Sequence, residues 1–101
     1  MNPIGQKFHV DFGMAKAILY IRDEQTLTFT IIEKNGETSG IPETVAIKMT
    51  ALRPSLFLIT WQEHSGTTVT QIHDYENQAI YSNWTDNAGD FTNLRGSLRA
   101  L

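Results

Sequence analysis

The 101-residue sequence contains no cysteine, which excludes disulfides, thiolate nucleophiles and cysteine-ligated zinc. The same absence fits a reducing cytoplasm, the expected location. No stretch approaches the roughly 20 apolar residues that a membrane-spanning helix needs. The opening MNPIGQKFHVDFG lacks the basic segment and following apolar run of a secretory signal. Positive charge is scarce: eight Lys and Arg against eleven Asp and Glu give a formal charge of −3, with no basic cluster. Nucleic acids are held by concentrated positive charge, so they are not expected partners, and neither is a membrane. A Gly-rich phosphate loop and a G-x-S-x-G nucleophile elbow are also missing. The expected partner is a small molecule or another protein.

What is present is an ordinary globular balance of 41% hydrophobic and 19% charged residues, enough for one core and one domain over 1–101. Leu27, Phe29 and Ile31 alternate with Thr26, Thr28 and Thr30, the period of two of a half-buried strand. Val45, Ile47 and Met49 alternate with Thr44, Ala46 and Lys48 in the same way. Ser55 to Trp61 is apolar on both faces and should be covered on both, by the core within and by a terminus or second subunit outside. Turn signals recur at Gly13, Asp23-Glu24, Asn35-Gly36, Arg53-Pro54, Ser65-Gly66, Glu76-Asn77 and Asn87-Ala88-Gly89. They predict strands near 6–12, 15–22, 25–32, 43–50, 55–63, 67–75, 78–85 and 90–100, with Met14 to Leu19 the one candidate for a helical turn. Short connections favour an all-β, antiparallel up-and-down barrel of about eight strands, whose closure removes exposed edges. Such a barrel leaves room for side chains or one small ligand.

The stretch Leu58-Ile59-Thr60-Trp61-Gln62-Glu63, followed by Ser65-Gly66-Thr67-Thr68-Val69, then Asp74-Tyr75-Glu76-Asn77 and Gly89-Asp90-Phe91 with Leu94-Arg95-Gly96-Ser97-Leu98, resembles small MoaF-like proteins. The resemblance runs from about Phe8 to Leu101, and W-x-E-x-x-G-T-x-V is its most specific part. It implies a calycin-type, lipocalin-like barrel with a poorly defined biochemical role. The same stretch is more distantly similar to phenolic acid decarboxylases, where the glutamate of W-x-E faces the cavity and works with two tyrosines and an arginine. Glu63 matches that glutamate and Trp61 its neighbour. The tyrosine positions fall on His9 and Asp11, and the arginine position falls around Ser39 and Gly40. Three of the four positions differ, so what the resemblance implies is a pocket rather than that decarboxylation.

Phe57, Ile59, Trp61 and Glu63 share one parity, so the face that holds the aromatics also holds the carboxylate. An even turn after Glu63 would add Thr68, Thr70 and Ile72 to that face, and an odd one Thr67, Val69, Gln71 and His73. The resemblance implies the odd turn. The expected interior is then Leu27, Phe29, Trp61, Val69 and Tyr81, with His9, Asp11, Glu63, Gln71 and His73 as polar groups. An apolar cavity with a few convergent polar groups is the common form of a small-molecule site.

Each residue also has a plainer explanation. Glu63 beside the Ser65-Gly66 turn could sit in water at the barrel mouth. His9 and Asp11 could be a strand end in solvent, and His73 a hydrogen-bonded barrel histidine. A His9, Asp11, Glu63, His73 metal set depends wholly on an assumed register, so no metal or cofactor is expected. Asp86 to Asp90 lacks EF-hand spacing and reads as a hairpin turn. Asn83-Trp84-Thr85 fits a glycosylation sequon that would be idle without secretion. The favoured reading is a binding module for a small apolar or aromatic molecule, with Trp61 and Phe29 as walls and Glu63 as polar anchor. The alternative is a lyase or isomerase acting on a small aromatic acid, with Glu63 as general acid/base and His73 or His9 as its partner. A filled barrel acting through its outer surface is a third. The apolar fifth strand and Tyr20 on the outer face point to a homodimer.

Overall fold

The structure is a computed structural model and describes residues 2–38 and 40–101. Its strands are β1 (Lys7–Asp11), β2 (Ala15–Asp23), β3 (Thr26–Lys34), β4 (Glu37–Thr38), β5 (Pro42–Arg53), β6 (Leu56–Gln62), β7 (Thr68–Asp74), β8 (Ala79–Thr85) and β9 (Phe91–Ala100). Every pairing is antiparallel and follows chain order, from β1–β2 and β2–β3 through β3–β5 to β8–β9. A final β1–β9 pairing closes the ring. Eight strands thus form an up-and-down barrel. The two-residue β4 is an added flap, folded back on β3 by the Asn35-Gly36 turn, where both residues have positive φ. The helical turn expected at Met14 to Leu19 is instead the start of β2. Ala15, Ala17, Leu19 and Ile21 are buried at a strict spacing of two, and that period fits a strand with one face on the core.

The two ends of the barrel differ. Phe8, Ile21, Leu27, Ile59, Ile80 and Leu98 are each no more than 2% exposed and fill the lower half. The segment before β1 caps this end. Gly5 N–H donates to the Ile21 carbonyl at 2.6 Å, Pro3 is fully buried and Ile4 packs on the core. Phe57 and Tyr75 complete the floor, with Tyr75 4.9 Å from Phe8 and 5.8 Å from Phe57 between ring centroids. The upper end carries the turns 12–14, 35–36, 63–67 and 86–90, and side chains do not fill it.

Two local devices shape that upper end. Gly96 lies where β9 meets the end of β1. A Cβ there would collide with the Asp11 carbonyl oxygen and lie 2.9 Å from Phe12 Cδ1, so only glycine lets the seam close. The second is a bulge in β3 opposite Lys16 and Ala17. An unbroken alternation from Phe29 and Ile31 would turn Glu33 inward. The extra residue shifts the phase, so Lys34 pairs with inward Ala15, while Glu33 pairs with outward Lys16 and bridges it at 3.5 Å.

Candidate functional site

β6 delivers Glu63 to the upper end. Trp61 pairs with Val69, and the five-residue connection from Glu63 to Thr67 is odd, which places Val69, Gln71 and His73 inside. Glu63 N–H donates to the Thr67 carbonyl at 2.8 Å, and Gly66 N–H donates to the Glu63 carbonyl at 2.9 Å. Gly66 has φ 95, a left-handed conformation that glycine adopts at no steric cost. This tight turn fixes the Glu63 backbone directly above Trp61.

A hollow of about 410 Å³ opens at this end, between Phe29, Ile31, Trp84, Glu43, Glu63 and Lys34. It continues into a throat of about 40 Å³ that shares Phe29, Ile31, Glu63 and Trp84 and reaches Trp61 and Gln71. The throat itself has room for about one water molecule. A more open depression of about 470 Å³ along the β3–β4 flap shares Ile31 and Lys34 with this hollow and has no aromatic wall. Phe29 and Trp61 stack at 6.1 Å between ring centroids with 28° between their planes. Trp84 stands across Val69 from Trp61 in the sheet and takes the Phe12 ring edge-on at 5.9 Å.

Glu63 is half-buried. Desolvation pushes its pKa up and the neighbouring Glu43 adds to that, while Trp61 and Lys34 pull the other way. Its Oε2 accepts a long hydrogen bond of 3.4 Å from Trp61 Nε1–H. Glu43 Oε2 accepts the His64 backbone N–H at 2.9 Å, with the His64 ring 3.8 Å away. Lys34 Nζ lies over the Trp84 ring, 5.7 Å from its centroid.

Below the throat is a buried polar chain. His73 is fully buried, with Nε2 2.7 Å from Gln71 Oε1 and Nδ1 2.9 Å from the Tyr75 hydroxyl. The Gln71 oxygen only accepts, so His73 carries its proton on Nε2 and Tyr75 O–H donates to Nδ1. Gln71 Nε2 in turn donates to Ser82 Oγ at 3.2 Å. Burial lowers the His73 pKa to about 3 and raises that of Tyr75. The histidine is therefore a neutral link in a satisfied network.

The expected site residues thus separate. Phe29 and Glu63 line both the hollow and its throat, and Trp61 lines the throat alone. Val69 is buried between the two tryptophans, and His73 sits deeper, closed off from the hollow. Tyr81, His9 and Asp11 are corrections, because all three lie on the outer face. Tyr81 is 42% exposed, opposite Ile72, with the Arg95 guanidinium 5.5 Å from its ring centroid. On β1 it is Phe8 and Val10 that point inward. Asp11 accepts the Gly13 N–H at 2.7 Å as a turn residue. His9 Nδ1 is cut off from solvent with no hydrogen-bond partner among the described residues. Ser39, near which the resemblance puts an arginine position, lies outside the described residues. No group of three or more His, Asp or Glu poised for a metal occurs among the described residues.

Sequence reasoning missed Trp84, Glu43 and Lys34. Trp84 had a signal: pairing across a two-residue turn at Glu76-Asn77 sets Ile72 opposite Tyr81 and Val69 opposite Trp84. The register that brings Val69 in therefore brings Trp84 in and sends Tyr81 out. Glu43 shares the parity of Val45 and Ile47, which was also readable. Lys34 had no signal, because the β3 bulge that turns it inward leaves no mark in the residue pattern.

Fold and site together define a calycin-type β-barrel, filled at one end and hollow at the other, with aromatic and acidic walls at the open end. A family model described as MoaF-like matches residues 4–99, and the chain belongs to that family. Among solved structures, the chain is similar to a crystal structure from Burkholderia vietnamiensis described as a "putative beta-lactamase". The two share 27% identity at a TM-score of 0.87, over 97% of this chain and 94% of that one. No curated protein matches.

Proposed function

We propose that the barrel binds a small apolar or aromatic molecule in the upper hollow, with Phe29, Ile31 and Trp84 as walls, Trp61 in the throat beneath, and Glu63 as polar anchor. The observation that carries this reading is the difference between the two ends. The lower half is filled and capped, whereas apolar walls at the upper end stay uncovered around a half-buried carboxylate. A barrel that needed only stability would fill both ends, because each void forfeits packing contacts.

Both tryptophans of the chain line the hollow or its throat, so their emission reports occupancy without a label. Titrating a panel of small aromatic compounds should give a saturable change in tryptophan fluorescence for at least one chemical class. A flat response across the panel up to millimolar concentration counts against the reading.

The raised pKa of Glu63 favours a second reading, in which this carboxylate moves a proton as general acid or base. Glu63→Gln separates the two: affinity for a neutral ligand survives in both, and turnover is lost in the second. The lactamase name of the structural relative finds no support in the residues, since no S-x-x-K occurs here.

A further inference from the structure

The hollow carries charge of one sign. Glu43, Glu63, Asp86 and Asp90 line it with a single cation, Lys34. Asp86 is committed to its own turn, accepting the Ala88 and Asp90 N–H groups at 2.9 Å each. Glu63 and Glu43 are different, because they belong to the inward-facing rows of β6 and β5 and stand at the top of the aromatic wall. Lys34 is brought to them by the β3 bulge and lays its ammonium on the Trp84 face. A cation between an aromatic face and carboxylates is the arrangement by which proteins recognise ammonium groups. The chain lays its own flexible, solvent-exposed side chain on the aromatic part of this site, and the Lys34 charge acts on Glu63 only through space.

We propose that the hollow takes a small molecule carrying an ammonium group on an apolar, aromatic-sized body. The ammonium takes the place of that of Lys34 on the Trp84 face, on the side of the Glu63 and Glu43 carboxylates, and the apolar body lies against Phe29 and Ile31. This rests on the reading of the hollow as a small-molecule site and names its ligand class. Anionic aromatic acids are disfavoured by the same geometry. Their carboxylate would meet Glu63 and Glu43 in a partly desolvated space, where like charges repel strongly.

The test uses three compounds with one hydrocarbon body: 3-phenylpropylamine, 3-phenylpropanol and 3-phenylpropanoate. Binding to the full chain is followed by tryptophan emission and by calorimetry at neutral pH. The amine should bind at least tenfold more tightly than the alcohol, and the acid most weakly. Raising salt from 50 to 500 mM should weaken the amine several-fold and leave the alcohol nearly unchanged. Lys34→Met should strengthen amine binding several-fold by removing the internal competitor. Glu63→Gln should shrink the ratio of amine to alcohol affinity several-fold, whatever it does to the two affinities together. An amine no tighter than the alcohol, or an acid that binds as well as the amine, overturns the ligand class and leaves the small-molecule site standing. Binding by none of the three, with the broader aromatic panel also silent, overturns both.

Discussion

His73 shows how one residue can be placed correctly from sequence and still have its chemistry misjudged. Parity put it inside the barrel, and it is there, but its ring bridges Tyr75 and Gln71 and never reaches the hollow. Spacing reports which face a side chain takes; it does not report depth, which depends on how far each strand is staggered around the ring. Burial of the neutral ring has a measurable consequence. The folded pKa of about 3 lies below the ordinary 6.5, so the unfolded state binds more protons between these values and stability falls as pH falls. From pH 7.5 to 5 the loss should be about 2 kcal/mol, read from urea unfolding at each pH. Asp74 and Asp23, whose pKa values are lowered chiefly by hydrogen bonds to Asn77 and Gln25, lose their contribution only at lower pH. The slope above pH 5 should therefore largely disappear in His73→Gln. A variant as pH-sensitive as the wild type would show that the titrating group lies elsewhere. Glu63 acts in the opposite sense, since a raised carboxyl pKa makes stability fall as pH rises through the interval above the usual carboxylate range.

At the level of strands, nearly everything that depends on a period of two was legible. The eight barrel strands lie at or near the expected positions, and the odd connection after Glu63 set the right face for Val69, Gln71 and His73. What was lost is what interrupts the period. The bulge in β3 exchanges Glu33 for Lys34 at the rim, and a sequence window containing Ile31-Ile32-Glu33-Lys34 holds no Gly or Pro to announce it. On β1, Phe8 and Val10 alternate inward, so His9 and Asp11, where the resemblance puts the two tyrosine positions, face outward. The β1–β9 seam offers a test at this scale. Gly96→Ala places a methyl against the Asp11 backbone, which cannot give way as a flexible side chain would. Overpacking costs roughly 1–3 kcal/mol, and a backbone clash belongs at the upper end of that range. Chemical denaturation should show that loss. An alanine variant within about 0.5 kcal/mol of wild type, the range of a neutral surface substitution, would mean that the strands separate freely there.

For the whole barrel, closure followed from connections too short for crossovers, but the division into a filled and a hollow half did not. That division depends on side-chain volumes summed around each layer, and the layers exist only once the register is known. It predicts a gradient of local stability. Amides beside the packed lower half, at Ile59, His73, Ile80 and Leu98, lie in strands paired on both sides and bury apolar neighbours. They should exchange hydrogen only through global unfolding. The turn 63–67 and the β4 flap have exposed backbone, and β4 is paired on one side alone, so both should exchange through local opening many times faster. Residue-resolved exchange by NMR measures both groups in one sample. If the hollow is a binding site, a bound ligand should slow the lower amides by the full factor 1 + [L]/Kd, since global unfolding releases it, and should slow the upper turns as well wherever their local opening breaks contacts with the ligand. Uniform protection along every strand would contradict the two-halved barrel.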